Sequence, residues 1–197
     1  YLVKSGEGIR WEWGSPHSFS PGRNDGEYRL VDRWRDVPAD MPFYSSAFIQ
    51  GIFFRQHADS VVETIEPGTL TVKVDASQLR PDERLVMVGD CPELGDWDVL
   101  KAPLLNDSAF PEWQITLDGK QLKFPFEYKF VIVRTHQREV VAWETGENRI
   151  CREKPQNPSE AVVVSGLRFN GSESQWRGAG TAIPVFSLRT DYGFGIG

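Results

Sequence analysis

Between Gly68 and Gly166 the chain has no long stretch with the three-to-four-residue apolar spacing of an amphipathic helix. Strand-length runs recur there instead. In residues 126–133 one face carries Phe126, Tyr128, Phe130 and Ile132, while Glu127 and Lys129 fall on the other. Leu70, Val72 and Val74 alternate with Thr71 and Lys73, which predicts a half-buried strand. Residues 85–88 are wholly apolar, and 113–117, 140–143 and 161–164 complete the set. Six or seven short strands with turn residues between them predict an all-β sandwich of about 100 residues. The 18 glycines and 13 prolines suit short strands and tight turns better than long helices.

With 197 residues there is room for one large domain, or for an ordinary domain with appendages. A net charge of −6 argues against nucleic acid as a partner, because phosphate binding needs clustered Lys and Arg. No apolar run approaches the ~20 residues of a membrane span, and no signal peptide is visible. Cys91 and Cys151 are the only cysteines and are expected to be free thiols, which favours a reducing, cytoplasmic setting. His17, His57 and His136 are isolated from one another and from the cysteines, so neither a metal site nor a cofactor is expected.

The flanks read differently. Trp11, Glu12 and Gly14 match Trp143, Glu144 and Gly146 in order and spacing, as an internal repeat would. Residues 1–19 are therefore expected to be the carboxy-terminal remnant of a first module. Residues 20–67 read as a linker and packing segment: 20–42 hold Pro-Gly, Asn-Asp-Gly and a charged run, with a short helix over 28–35 docked by Trp34 as the alternative. The aromatic stretch 43–55 could supply a strand or two. Residues 68–166 form the sandwich. In 167–197, residues 182–188 have the character of a buried strand interrupted by Pro184, followed by a glycine-rich loop. The chain starts at Tyr1 and stops in that loop, so both ends are expected to fall inside larger units.

Trp97, Lys129, Trp143 and Asn148 are too far apart to be one local motif, but a sandwich could gather them. An indole covers the C–H face of a sugar. Burying ~100 Å² of apolar surface at ~25 cal/mol/Å² gives roughly 2.5 kcal/mol gross. The ring of hydroxyls then needs amide or ammonium partners, or their desolvation cancels the gain. Each residue also has a plainer reading: Trp97 as a plug for the turn after Gly95-Asp96, Trp143 as a cross-strand core residue, Lys129 as a solvated lysine and Asn148 as a turn residue. Trp113, beside Ile115 and Leu117, reads as core.

The motifs Val88-Gly with Leu94-Gly-Asp-Trp97, Trp113, Glu127-Tyr-Lys-Phe130 and Trp143-Glu-x-Gly-x-Asn-Arg149 together resemble the family 20 carbohydrate-binding modules, the starch-binding domains. The resemblance implies an immunoglobulin-like antiparallel β-sandwich with two sugar sites. The family's first site falls on Trp97 and Trp143 as stacking platforms, with Lys129 and Asn148 bonding hydroxyls and Glu144 beside them. Its second site relies on tyrosines; here Val86 stands at the strand position and residues 103–110 offer none, so an intact second site is not expected. Residues 178–189 with 194–197 resemble the start of the catalytic (β/α) barrel of the family 77 4-α-glucanotransferases, the amylomaltases or disproportionating enzymes. That resemblance implies a non-catalytic region holding starch, glycogen, maltodextrins or malto-oligosaccharides for its own barrel, which transfers α-1,4-glucan segments with retention through two carboxylates. Those carboxylates would lie beyond Gly197; Asp191 is read as a surface-loop residue, and no residue of the chain as catalytic. Two alternatives from other classes are a regulatory glycogen-sensing scaffold and a structural sandwich that binds no sugar.

Overall fold

The computed structural model describes residues 1–6, 8–12, 17, 19–22, 26–35 and 64–171, and the backbone of 185–190. The aromatic stretch 43–55, Asp191 and the terminal glycines lie outside the described residues. Three strands come before residue 64: β1 (Leu2–Ser5), β2 (Gly8–Trp11) and β3 (Gly26–Asp32). Then come β4 (Thr69–Asp75), β5 (Glu83–Gly89), β6 (Asn106–Ala109), β7 (Glu112–Asp118), β8 (Phe126–Arg134), β9 (Val140–Trp143), β10 (Arg149–Cys151) and β11 (Glu160–Arg168), with β12 (Val185–Thr190) last.

Two sheets make the sandwich. One has the order β12-β3-β11-β4-β7-β6; the other runs β10-β8-β5, with β9 also paired to β8. Alternation along each strand sends one set of side chains into the space between the sheets. Leu70, Val72 and Val74, Trp113, Ile115 and Leu117, and Val162, Val164 and Leu167 come from the larger sheet. Leu85, Met87, Phe126, Tyr128, Phe130 and Ile132 meet them from the smaller one. Trp113 is fully buried and donates its indole N–H to the Ala76 carbonyl at 3.2 Å, the partner that a buried indole needs.

Three features depart from the sequence reading. First, β4 is buried on both faces rather than half-buried. The polar residues of its outer face are paired across strands: Thr71 Oγ1 lies 3.0 Å from Thr116 Oγ1, and Lys73 Nζ lies 3.3 Å from Glu112. Second, Gly26–Asp32, within the stretch read as linker or short helix, is a strand. Its charges are answered across the sheet, Arg29 Nε donating to Glu160 at 2.9 Å and Asn157 Nδ2 to Glu27 at 3.0 Å. Tyr28 and Leu30 join Ile65, Ala161, Val163 and Phe19 in a small second core on the outer face of that sheet. Third, the sandwich is antiparallel except at β11, which runs parallel to both β3 and β4. Its register shifts after Val164 at Gly166, where φ is +78° and an added Cβ would lie 2.1 Å from the Arg33 carbonyl, so only glycine fits.

Strands β1 and β2 form a separate ribbon, Leu2 opposite Trp11 and Lys4 opposite Ile9. Polar side chains fasten it to the larger sheet. His17 Nε2 lies 2.9 Å from Glu12, and His17 Nδ1 lies 2.9 Å from Ser165 Oγ and 3.5 Å from Asp32. The Tyr1 and Ser165 hydroxyls donate to Asp32, and the Arg35 amide donates to Glu12 at 3.0 Å. Burial alone would lower the pKa of His17, but its hydrogen bonds to Asp32 and Glu12 outweigh that and raise it. Burial would likewise raise Asp32, yet hydrogen bonds from His17, Ser165 and Tyr1 pull it down to about 2.

Candidate functional site

The outer face of the smaller sheet carries the site. In β8, Phe130 points into the core, so Glu127, Lys129, Val131 and Val133 point outward. Registers extend that face: Val88 of β5 is opposite Lys129, and Trp143 of β9 is opposite Val131. Val86, Val88, Ala102, Val131 and Val133 make a small buried patch there, and Trp97 and Val99 pack against it from the loop after β5.

That loop is tightly made. A single 3₁₀ turn, Pro92–Leu94, ends at Gly95 in the left-handed region, and Asp96 and Trp97 follow at φ 48° and 64°. A bulky residue in this conformation persists only where its surroundings over-determine it. Here the Trp97 amide donates to the Gly89 carbonyl at 2.7 Å, and the indole is anchored on the valine patch while staying half-buried. Trp143, 43% exposed, stands on the neighbouring strand. The two indoles therefore share one face, as a stacking platform requires.

The polar edge is built by the turn between β9 and β10. Lys129 Nζ donates to the Glu144 carbonyl at 3.1 Å and to the Gly146 carbonyl at 2.6 Å. Gly146 sits at φ +84°, which favours glycine and aims its carbonyl at the ammonium. Asn148 is exposed, and its Nδ2 donates to Glu127 at 2.8 Å. Trp97, Lys129, Trp143 and Asn148 are thus brought to one face and its rim. The Glu144 side chain is not. It is 4% exposed, and its carboxylate receives two hydrogen bonds from Arg149 Nε, at 3.1 and 3.0 Å, a further one from Arg149 Nη2, and the Phe130 amide at 3.3 Å. Strand alternation explains the difference: a residue next to an outward tryptophan points inward. Glu144 reaches the site only through its backbone carbonyl.

Three groups escaped the sequence reading. Glu127, on the same face as Lys129 by simple alternation, orients Asn148. Arg149, buried beneath Phe130 with its guanidinium carbon 5.6 Å from the ring centroid, ties the turn to the end of β11 by donating to the Arg168 and Gly171 carbonyls. Asn170 accepts the Thr145 amide at 2.8 Å. Arg149 was visible only as the last residue of the motif that begins at Trp143, and Asn170 had no signal short of three-dimensional contact. Val86, where the family's second site has a tyrosine, is fully buried.

A β-sandwich whose outer face presents two indoles edged by an ammonium and a carboxamide has the build of a carbohydrate-binding module. The family model described as "Starch binding domain" matches residues 69–163. A 4-alpha-glucanotransferase DPE2 of Oryza sativa subsp. japonica is 29% identical, over 89% of this chain and 19% of the rice protein. A cyclomaltodextrin glucanotransferase of Geobacillus stearothermophilus is 29% identical over 42% of this chain and 12% of that enzyme. The chain thus spans about a fifth or less of the length of these relatives. Among solved structures, the family 20 module of a maltotetraose-forming amylase from Pseudomonas saccharophila STB07 aligns with 48% of this chain and 98% of its own, at 19% identity and TM-score 0.40.

Proposed function

We propose that Trp97 and Trp143 stack the glucose rings of starch, glycogen or maltodextrin chains, while Lys129 and Asn148 hold the hydroxyls at the edge. The observation that carries this reading is the pair of indoles on one outward face of a starch-binding domain, with both polar groups on its rim. The rim is preorganised: Lys129 pins two carbonyls of the turn and Glu127 pins Asn148, so little ordering is left for the ligand to impose. On this reading the chain is the non-catalytic, glucan-holding region of a 4-α-glucanotransferase. Its partner in the same protein is the catalytic barrel, and the buried free thiols Cys91 and Cys151 suit a cytoplasmic setting.

The test is retention on insoluble starch. The unmodified chain is retained, and Trp97→Ala combined with Trp143→Ala is lost from the pellet; retention of the double variant would sink the site assignment. The chain alone transfers no glucosyl units, and turnover of maltotriose by it would overturn the division of labour.

A further inference from the structure

The turn that carries Asn148 also walls a depression of about 570 Å³ that the platform does not use. Thr145, Glu147, Asn148, Ile150, Arg152 and Asn170 line it. We infer that this depression is an additional subsite, taking glucose units of an α-glucan chain beyond those stacked on the two tryptophans. The inference rests on the reading of the platform as a glucan site.

Position comes first. Asn148 belongs to both the platform rim and the depression, so the two adjoin at that residue. Ile150 lies opposite Glu127 in the β10–β8 register, hence on the same outward face as Lys129, and it is 36% exposed. It offers an apolar floor for a sugar C–H face, as the indoles do one step earlier.

Chemistry comes second. Among the described residues, the Glu147 carboxylate and the Arg152 guanidinium have no side-chain partner, although both line the same depression and are exposed. One free acceptor group and one free donor group of opposite charge leave the hollow near neutral. That selects against an anion or a cation and suits a neutral polyol, whose hydroxyls both donate and accept. The volume falls in the range of small-molecule sites.

Rigidity comes third. Asn170 fixes Thr145 through its amide and hydroxyl, and Arg149 holds the turn to the Arg168 and Gly171 carbonyls. The far wall is therefore preformed and needs no ordering when a ligand arrives.

The experiment compares maltotriose with maltoheptaose by calorimetric titration of the 197-residue chain and of the double variant Glu147→Gln with Arg152→Ala. These side chains anchor nothing else, so melting temperature is expected to hold; Arg152→Gln replaces Arg152→Ala should the first variant fold poorly. The unmodified chain binds the longer sugar roughly tenfold more tightly, and the variant keeps its maltotriose affinity while losing most of that gain. Equal affinities of the unmodified chain for both sugars would overturn the subsite and leave the platform standing, as would an undiminished gain in the variant. Failure of the unmodified chain to bind either sugar would overturn both.

Discussion

The ribbon β1–β2 and the hairpin β8–β9 carry the same two residues in the same geometry. Trp11 stands opposite Leu2 and the Glu12 amide donates to the Tyr1 carbonyl at 3.0 Å. Trp143 stands opposite Val131 and the Glu144 amide donates to the Phe130 carbonyl, also at 3.0 Å. In both, the tryptophan faces out and the glutamate is buried against cations. What differs is the company. Beside Trp143 lie a second indole, a lysine pinning the turn and a carboxamide; Trp11 is 69% exposed on a two-stranded ribbon, with Leu2 and Ile9 also exposed on its face. A Trp-Glu pair at the end of a strand thus sets which way each side chain points, and a binding face needs the residues that other strands bring to it.

The buried partners differ as well. Arg149 meets Glu144 through two nitrogens and stays charged at any ordinary pH. Glu12 shares its charge between His17 and Arg35. Arg149→Ala leaves the Glu144 carboxylate buried and unpaired, and is expected to cost about 3–5 kcal/mol in urea unfolding. A cost near zero would mean that the pair does not brace the turn. Next in size, Trp143→Ala is expected to weaken maltoheptaose binding by about 2 kcal/mol, roughly thirtyfold, with little change in stability. An unchanged Kd would remove Trp143 from the site.

The third way to separate the two regions is pH. The raised pKa of His17 means that its contribution to stability is full below the ordinary histidine value of about 6.5 and is lost as pH climbs through the raised one. Glu12 and Asp32 are held below the usual carboxylate range, so their contributions are present at neutral pH and are lost on acidification, the last of Asp32's at about pH 2. Amide exchange in β1 and β2 is therefore expected to quicken, beyond the intrinsic rise, as pH climbs above the ordinary histidine value, while β8 and β9 hold. Parallel behaviour of the two hairpins would remove His17 as the fastening. The smallest effect is expected from Trp11→Ala: stability within about 0.5 kcal/mol of the unmodified chain, because a side chain so exposed buries little.

Much of this was legible in advance, for physical reasons that name the exceptions. The period-two pattern of residues 126–133 gave β8 its faces, and put Lys129 on the outside, because one side of that strand packs on the core. The wholly apolar run at 85–88 was legible as a strand, and the reason for its pattern is that β5 is covered on both sides, by the core and by the Trp97 loop. β3 was hidden, since Glu27 and Arg29 look like linker charges until Asn157 and Glu160 are seen to answer them. β10 is three residues long, too short for any period to register. Glu144 was read as a sugar contact by resemblance, whereas its place beside an outward Trp143 already pointed it inward.

One feature of the sheet bears on how the chain is made. β11 sits between β3 and β4, and 131 positions separate Arg29 from its partner Glu160. As the polypeptide leaves the ribosome, β3 emerges first and has no parallel neighbour until nearly everything described has been synthesised. Such distant pairing is intrinsically slow. Until then its apolar Tyr28 and Leu30 and its open backbone edge are available to other nascent chains, so the interval before β11 appears is one of exposure to aggregation.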